Sequence, residues 1–266
     1  MSPIEQSIKR KIEENGVPLK DWNISINYGI KTGYNDAFII NGEKKDELIS
    51  ADPKSAEIIR PILRGKDIKR YEYSFADLWI INSHNGVKEK SIQPINILEY
   101  PAIKAHLDLY YDELSKRYDK GDTPYNLRNC IYTDDFNRQK IIWGELSDKP
   151  KFALDKEGIF VISNTVFMMT GNHLDYLLAF LNSKLSQYYF SSIATTSGVG
   201  TVRWLKYKVE LLPVPLFDNI TPDIRTLMIS LMEKPIENSQ EIDRLIFSIY
   251  NFSPSEIELI LNASSM

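Results

Sequence analysis

The sequence predicts an α+β fold, in which a mixed-sheet domain from about Trp22 to Asn172 is followed by a mostly helical region that extends to Met266. Short apolar runs separated by turn residues fill the first part, as is typical of β-strands. In the second part, apolar residues recur every three or four positions, as in amphipathic helices. The 266 residues, 43% of them hydrophobic, suffice for a sizeable core in one large domain or two smaller ones.

The chain begins with a predicted helix and a short connection to the first strand. Ile4, Ile8 and Ile12 are four residues apart and form one apolar stripe in a helix from Ser2 to Asn15. Gly16 ends this helix, since glycine is common just past a helix terminus. Residues 1–22 are therefore predicted to be a helical linker.

The predicted strands are short apolar or alternating segments. Asn23 to Tyr28 alternates polar with apolar residues, and Ala37 to Ile40 is a short apolar run. Between them Gly29, Gly33 and Asn35 tolerate positive φ, which predicts an exposed loop between two strands, most simply a hairpin. The other predicted strands are Ile68 to Tyr73, Asp77 to Asn82, Lys140 to Leu146, Phe152 to Leu154, Phe160 to Ser163 and Val166 to Thr170.

Helical spacing of apolar residues marks the predicted helices. They are Lys44 to Ile49, Lys54 to Ile59, Tyr100 to Arg117, Leu174 to Tyr189, Asp223 to Glu233 and Ser239 to Tyr250, with a last one after Ser253. Ser253, Pro254 and Glu256 provide the cap, first turn and capping box of this last helix. Ser191 to Gly200 reads as a small-residue loop, and Thr201 to Lys208 alternates as a strand would.

The charge of the chain is weakly acidic as a whole and basic in places. The formal net charge is −4, yet Asp67 is the only anion among five cations between Arg60 and Arg70. A local positive surface can bind phosphate whatever the net charge. The candidate DNA-backbone contacts are Arg60, Arg64, Lys66, Lys69, Arg70, Arg203, Lys206 and Lys208. The alternatives are a solvated helix end for the first group and a strand with snorkelling lysines for the second.

The sequence contains no pattern that indicates a membrane span, a metal site or an active site. No run of about 18 apolar residues occurs, so we expect a cytoplasmic protein without membrane contact. Cys130 is the only cysteine and the three histidines are far apart, so we expect no metal. A glycine-rich cofactor loop and a Pro-Pro-aromatic motif, which methyl transfer to adenine needs, are both missing. We therefore predict no catalytic residue in this chain.

A metal-dependent nuclease is a weak alternative. Its site would combine Asp77 with Glu89 and Lys90, but the spacing is loose and Glu-Lys pairs are common. A solvated loop accounts for Glu89 and Lys90 more simply. The adjacent acids Asp134 and Asp135 likewise suit a helix cap or a turn.

An ordered set of segments resembles the TaqI-like C-terminal specificity domain. That domain is the target-recognition half of adenine-specific DNA methyltransferases and of fused restriction–methylation enzymes. The resemblance covers Asn23 to about Ile260. Its segments are GIKTGYNDAFII (29–40), IIRPILRGKDIKRY (58–71), YPAIKAHLDLYYDELSKR (100–117), YNLR (125–128), KIIWGELS (140–147), YLLAFLNSKLSQYYF (176–190), LLPVPLF (211–217) and EIDRLIFSIYNFSPSEIELI (241–260).

The resemblance implies a module that recognises a specific sequence in double-stranded DNA. It would dock in the major groove, position an upstream methyltransferase domain, possibly with a nuclease, and favour extrusion of the target adenine. S-adenosylmethionine would be the cofactor of that catalytic domain, with none bound here. Residues 1–22 would link the catalytic domain to the specificity domain, so the apolar stripe of the first helix would have lost part of its partner surface. Residues 23–172 would recognise DNA, and residues 173–266 would form the helical C-terminal region. The alternative is a protein-interaction module with an acidic partner.

Three polar loops are candidates for reading the bases. Lys31 to Asn35, Tyr125 to Asn129 and Ser163 to Thr165 all present donors and acceptors from between predicted elements. An amide or a guanidinium can make two hydrogen bonds to one base edge, so Asn126 and Arg128 are the first choices. The complete set of predicted base-reading residues is Lys31, Thr32, Asn35, Asn126, Arg128 and Asn164.

Overall fold

The structure, a computed structural model, describes residues 1–193 and 202–264. Its first part contains α1 (Pro3–Asn15), β1 (Val17–Pro18), β2 (Ile24–Tyr28), α2 (Asn35–Phe38), β3 (Ile39–Asn41), α3 (Gly42–Ala51), β4 (Ile59–Leu63), β5 (Leu78–Ile81), α4 (Pro101–Asp108) and α5 (Tyr111–Lys116). Five strands follow: β6 (Lys140–Gly144), β7 (Leu146–Ser147), β8 (Phe152–Asp155), β9 (Val161–Ile162) and β10 (Val166–Gly171). The remaining elements are α6 (Leu174–Leu181), α7 (Lys184–Ile193), β11 (Val202–Arg203), α8 (Lys206–Val209), β12 (Pro213–Val214), α9 (Pro222–Leu231), α10 (Ser239–Ile249) and α11 (Pro254–Ala263).

A central antiparallel sheet in the order β2-β10-β6-β8 separates two hydrophobic cores. Successive side chains of a strand point to opposite faces. On β6, Ile141 and Trp143 therefore pack against the C-terminal helices, while Ile142 packs on the other side. Both faces of the inner strands β6 and β10 are thus buried, which explains their nearly continuous apolar sequences, whereas the edge strand β2 alternates and is partly exposed.

The second sheet, in the order β3-β5-β4-β9, closes the core on the far side of the central sheet. β4 and β9 are parallel, with Leu63 opposite Ile162, whereas the other pairs are antiparallel. This sheet is therefore mixed, and beyond residue 173 helices dominate the described chain. The predicted α+β class, with a mixed sheet followed by a helical region, is confirmed.

Helix α1 packs against the C-terminal helices. Ile8 and Ile12 are buried in the same core as Ile260, and the Oγ of Ser7 donates a hydrogen bond of 2.8 Å to Glu256. Ile8 and Ile12 thus have partners within the chain while Ile4 is exposed, and the expectation that the stripe had lost part of its partner surface stays a prediction. The division into segments 1–22, 23–172 and 173–266 stays a prediction.

Several predicted elements are shorter or broken in the structure. β2 and β3 belong to different sheets, so the predicted hairpin is wrong, and Asn35–Phe38 is a helical turn. The Tyr100 to Arg117 pattern forms two helices rather than one. The Leu174 to Tyr189 pattern breaks at Asn182, whose side chain bonds the backbone N and O of Phe152. The helix predicted from Lys54 to Ile59 is a 3-10 helix that ends at Glu57, and Ile59 already belongs to β4. The strand predicted from Ile68 to Tyr73 is a single β-bridge between these two residues.

The predicted alternation of Thr201 to Lys208 is wrong because Trp204 belongs to the core. Its ring stacks on Phe190 at 3.8 Å between centroids, and its carbonyl accepts a bond of 2.9 Å from the indole N–H of Trp143. Thr201 lies outside the described residues; in the described remainder of this segment only Val202–Arg203 forms a strand, and a helical turn follows it. The predicted small-residue loop lies mostly outside the described residues. Among the helices of the described ranges, none has the length and apolar character to cross a membrane.

Candidate nucleic-acid interface

A groove of about 520 Å³ opens where the two sheets meet. The turn after β4, the β6–β7 corner and the β9–β10 turn form its walls. Four residues predicted from sequence line it, together with two charged residues that sequence did not single out. They are Asn35, Arg64, Lys66 and Asn164, with Glu145 and Lys151. The structure thus brings two predicted base readers and two predicted backbone contacts into one groove.

Backbone hydrogen bonds fix the walls of the groove. The N–H of Ser163 donates to the carbonyl of Leu63 at 2.9 Å, and that of Glu145 donates to Thr165 at 3.0 Å. Gly144 lies so close to Gly65 that an added Cβ would stand 3.2 Å from the Gly65 Cα. These contacts position Asn164 at the exposed tip of a turn that is braced on both sides.

Arg64 and Lys66 differ in how free their charges are. The Arg64 guanidinium donates to both carboxylate oxygens of Asp67, at 2.9 and 3.0 Å. Burial by itself would raise the pKa of Asp67, but the bonds from Arg64 hold that pKa below its usual value. Lys66 is exposed and forms no ion pair within the described residues. Lys66 is therefore the cation of this turn best placed to meet a phosphate.

Two further cations lie on or beside the groove. Lys151 pairs with Asp148 at 2.8 Å and remains half-exposed. Arg203 pairs with the groove residue Glu145 at 3.5 Å. No local pattern marks Lys151 in the sequence, because only the pairing of β6 with β8 brings it to the groove.

The other predicted backbone contacts are not brought to the groove. Arg60 donates to Asn137 and to the carbonyl of Ile159, and burial lowers its pKa. Arg70 donates two bonds, of 2.8 and 3.1 Å, to the carbonyl of Asn182. Both guanidinium groups thus hold internal backbone. The remaining three are Lys69, paired with Glu72, Lys206, paired with Glu210, and Lys208, bonded to the carbonyl of Ile193.

Lys31 and Arg128 come together beside the groove although about a hundred residues separate them. Lys31 approaches one oxygen of Asp119 at 2.8 Å and Arg128 the other at 3.1 Å. The hydrogen bond from Lys31 is the main cause that lowers the pKa of Asp119. Both cations are about half-exposed, so each keeps donors available to a ligand.

Lys31, Asp119 and Arg128 form what we call the Lys31–Arg128 cluster, and the buried Arg117 holds its loops together. Its guanidinium donates to four backbone carbonyls and lies 4.5 Å from the ring centroid of Phe38. The four acceptors are the carbonyls of Thr32, Asp119, Pro124 and Asn126. Burial lowers the pKa of Arg117 to about 10. One side chain thus ties the 31–35 loop to the 119–128 loop, a role that its position at a helix end does not reveal in the sequence.

Thr32 and Asn126 are not placed to read bases. Asn126 is 2% exposed, and its amide nitrogen donates to the carbonyls of Ile95 and His84. Its oxygen accepts a bond of 2.6 Å from Thr123. Thr32 is 4% exposed and donates to Asn35 at 2.6 Å. Their polar atoms are therefore used inside the protein, which favours a supporting role for both.

The loop that carries Lys31 is joined to the groove because the chain near Gly29 runs against the β9–β10 turn. The N–H of Ile30 donates to the carbonyl of Ile162 at 2.8 Å. A Cβ on Gly29 would lie 2.2 Å from that carbonyl oxygen, so only glycine fits. The exposed polar side chains that remain for reading are those of Lys31, Asn35, Arg128 and Asn164.

The residues considered for a nuclease site do not meet. Asp77 accepts a hydrogen bond of 2.8 Å from the indole of Trp79, and Lys90 pairs with Asp134 at 2.6 Å. In residues 1–193 and 202–264, no three His, Cys, Asp or Glu side chains are grouped as metal ligands.

Comparisons with known proteins give one family match and similarities to larger enzymes. The model of the TaqI-like C-terminal specificity domain matches residues 60–214. The type II methyltransferase M.BstVI of Geobacillus stearothermophilus is 22% identical over 265 residues, which is 97% of this chain and 45% of that protein. The type IIG restriction endonuclease BpuSI has the same fold, with a TM-score of 0.63 and 15% identity over 98% of this chain and 32% of that one. The type IIL restriction-modification enzyme MmeI, solved in complex with DNA, has a TM-score of 0.62 and 14% identity. The match covers 93% of this chain and 36% of MmeI.

The family match defines this chain as a specificity domain. The chain belongs to the family of TaqI-like C-terminal specificity domains, as its motifs predicted, since the family model covers more than half of it. It spans less than half the length of the curated methyltransferase that it matches.

Proposed function

We propose that this chain recognises a specific sequence in double-stranded DNA through the groove and the adjoining Lys31–Arg128 cluster. The observation that carries the proposal is the place of Asn164, an exposed amide at the tip of a braced turn with cations on the surrounding rim. Phosphate contacts fix the register of a protein on DNA, while amides and guanidinium groups read base edges. The groove supplies both kinds of group within one concave surface.

We further propose that the chain serves a catalytic domain elsewhere in its parent protein. Its curated relative is a methyltransferase, and S-adenosylmethionine would bind in that catalytic part. Docking of this module in the major groove would set the distance between the catalytic domain and its adenine and would favour extrusion of that base. Cleavage by a nuclease domain and a cytoplasmic location stay predictions.

Replacing Lys66 and Lys151 by alanine is expected to weaken binding to all DNA sequences alike. The slope of log K against log salt is negative, and each lost phosphate contact should reduce its magnitude by about 0.9. Titrations of labelled duplexes at several salt concentrations measure this slope. Lys234→Ala is the matched control, because Lys234 is an exposed lysine that pairs with Glu237 away from the groove.

An unchanged affinity and slope in the double variant would contradict a DNA-binding groove. Retained binding of an acidic protein would then favour the protein-interaction alternative.

Asn164→Ala is expected to relax specificity without abolishing binding. Loss of a bidentate amide should remove about 1–3 kcal/mol of discrimination at one base position. Selection of bound sites from a random duplex library, sequenced for the parent protein and the variant, measures the preference at every position. Asn126→Ser serves as the comparison, since Asn126 is buried and should change stability rather than the selected sequence.

If Asn164→Ala selects the parent site with equal preference throughout, the β9–β10 turn is not the reader. Asn35 and Arg128 are then the next side chains to replace.

A further inference from the structure

Tyr118 is the large hydrophobic side chain most exposed to solvent among the described residues, at 97%. A tyrosine ring gains stability when it is buried, and here the ring contributes almost nothing to the core. Stability therefore does not explain an aromatic side chain at this position.

The two neighbours of Tyr118 are among the most firmly held residues of the cluster. Arg117 precedes it with bonds to four carbonyls, and Asp119 follows it with two ion pairs. The backbone of Gly33 also lies against them, since an added Cβ there would stand 3.1 Å from the Asp119 Cβ. The ring is thus exposed but presented from a fixed backbone, so a ligand that meets it need not order the loop.

The charge around Tyr118 indicates which ligand would meet it. Lys31 and Arg128 both pair with Asp119, the residue that follows Tyr118, and Lys116 and Lys120 are near neighbours in sequence. An aromatic ring among cations is the arrangement with which proteins stack on bases while holding the phosphate backbone. An apolar protein partner would instead favour exposed aliphatic neighbours, which this loop lacks.

We propose that the ring of Tyr118 stacks on a base of the bound DNA at a step that opens when the protein binds. This inference rests on the proposed function. The faces of bases in a continuous duplex are covered by their neighbours, so a ring can reach one only where a step is unstacked or a nucleotide is extruded. The inserted ring would replace the stacking energy that the opened step loses.

The test uses the duplex that the unsubstituted protein selects, with 2-aminopurine placed at successive positions. This unsubstituted protein is the parent with which the variants are compared. Tyr118→Ala should weaken binding about 5- to 100-fold, which corresponds to the loss of one base–aromatic stack. Tyr118→Phe should bind within about twofold of the parent, because stacking needs the ring and not the hydroxyl. The slope of log K against log salt should not change in either variant, since tyrosine carries no charge. Because 2-aminopurine fluorescence depends on stacking, its change on binding at the opened step should be the same for the unsubstituted protein and Tyr118→Phe and different for Tyr118→Ala.

The control is Leu109→Ala, which removes another exposed apolar side chain, 76% exposed, from the end of α4. If the parent binds its duplex and Tyr118→Ala binds equally well, the stacking inference is wrong and the proposed function stands. If Tyr118→Phe loses as much as Tyr118→Ala, the hydroxyl makes the contact and stacking is excluded. If the parent protein binds no DNA, the proposed function itself fails.

Discussion

Replacing Lys140 by methionine is expected to lower the free energy of unfolding by about 3–5 kcal/mol. Lys140 and Asp155 are both fully buried, and the ammonium nitrogen lies 2.6 Å from the carboxylate. Burial lowers the pKa of Lys140, while the bond to Asp155 opposes that shift. Removal of the lysine leaves an uncompensated carboxylate in the core between the sheets. Urea denaturation followed by circular dichroism measures the loss.

The matched control removes both charges. Lys140→Met combined with Asp155→Leu should recover most of the stability, because an apolar pair of similar volume often replaces a buried ion pair at little cost. The recovery should be incomplete here, since Asp155 also accepts the backbone N–H of Phe160 at 3.0 Å. A single variant as stable as the parent would mean that the pair contributes nothing to the fold.

The Lys140–Asp155 pair also supports the groove from a distance. Asp155 bonds the backbone of Ile159 and Phe160, the turn that leads into β9. Arg60 holds the carbonyl of the same Ile159. β9 in turn pairs with β4 and carries the Ser163–Thr165 turn at its end. Lys140, through Asp155, and Arg60 therefore help to fix the position of the Ser163–Thr165 turn, a structural role that the sequence alone does not indicate.

The sequence predicted the central sheet well because its strands are short, apolar and separated by turn residues. The strand predictions for this sheet match β2, β6, β8 and β10 closely. The partners of these strands were not predictable, because the choice of sheet depends on contacts between distant segments. The segment after Gly29 shows the difference, since two strands with a turn between them looked like a hairpin yet joined separate sheets.

The candidate site shows the same limit at the level of single side chains. Asn126 and Asn164 are identical residues in polar loops, and nothing local in the sequence separates them. The amide of buried Asn126 donates hydrogen bonds to the carbonyls of His84 and Ile95, which are more than thirty residues earlier in the sequence. Asn164 meets no such acceptors and remains exposed. The groove therefore retains only part of the predicted set.

Arg117→Met is expected to lower the free energy of unfolding by about 3–4 kcal/mol and to loosen both loops that the guanidinium joins. Each hydrogen bond from a charged donor contributes about 1.5–3 kcal/mol to stability. The carbonyls that lose their donor also cost free energy, but water that enters the space left by the guanidinium can hydrogen-bond to them and offset part of the loss. The planar fork of arginine reaches several acceptors at once, which the compact ammonium of lysine does not. Arg117→Lys should therefore recover only part of the loss.

Two measurements separate this anchoring role from a general contribution to stability. Amide hydrogen exchange should accelerate selectively in residues 29–35 and 119–128 of Arg117→Lys, because these loops lose their common anchor. The DNA site selected by this variant should lose preference at the base positions that we propose Lys31 and Arg128 contact, while non-specific binding persists. Arg128→Met is the control, since its half-exposed ion pair with Asp119 should contribute less than about 1 kcal/mol to stability. If Arg117→Lys leaves the exchange of both loops and the selected site unaltered, the two loops are held by their other contacts, and Arg117 does not position the reading surface.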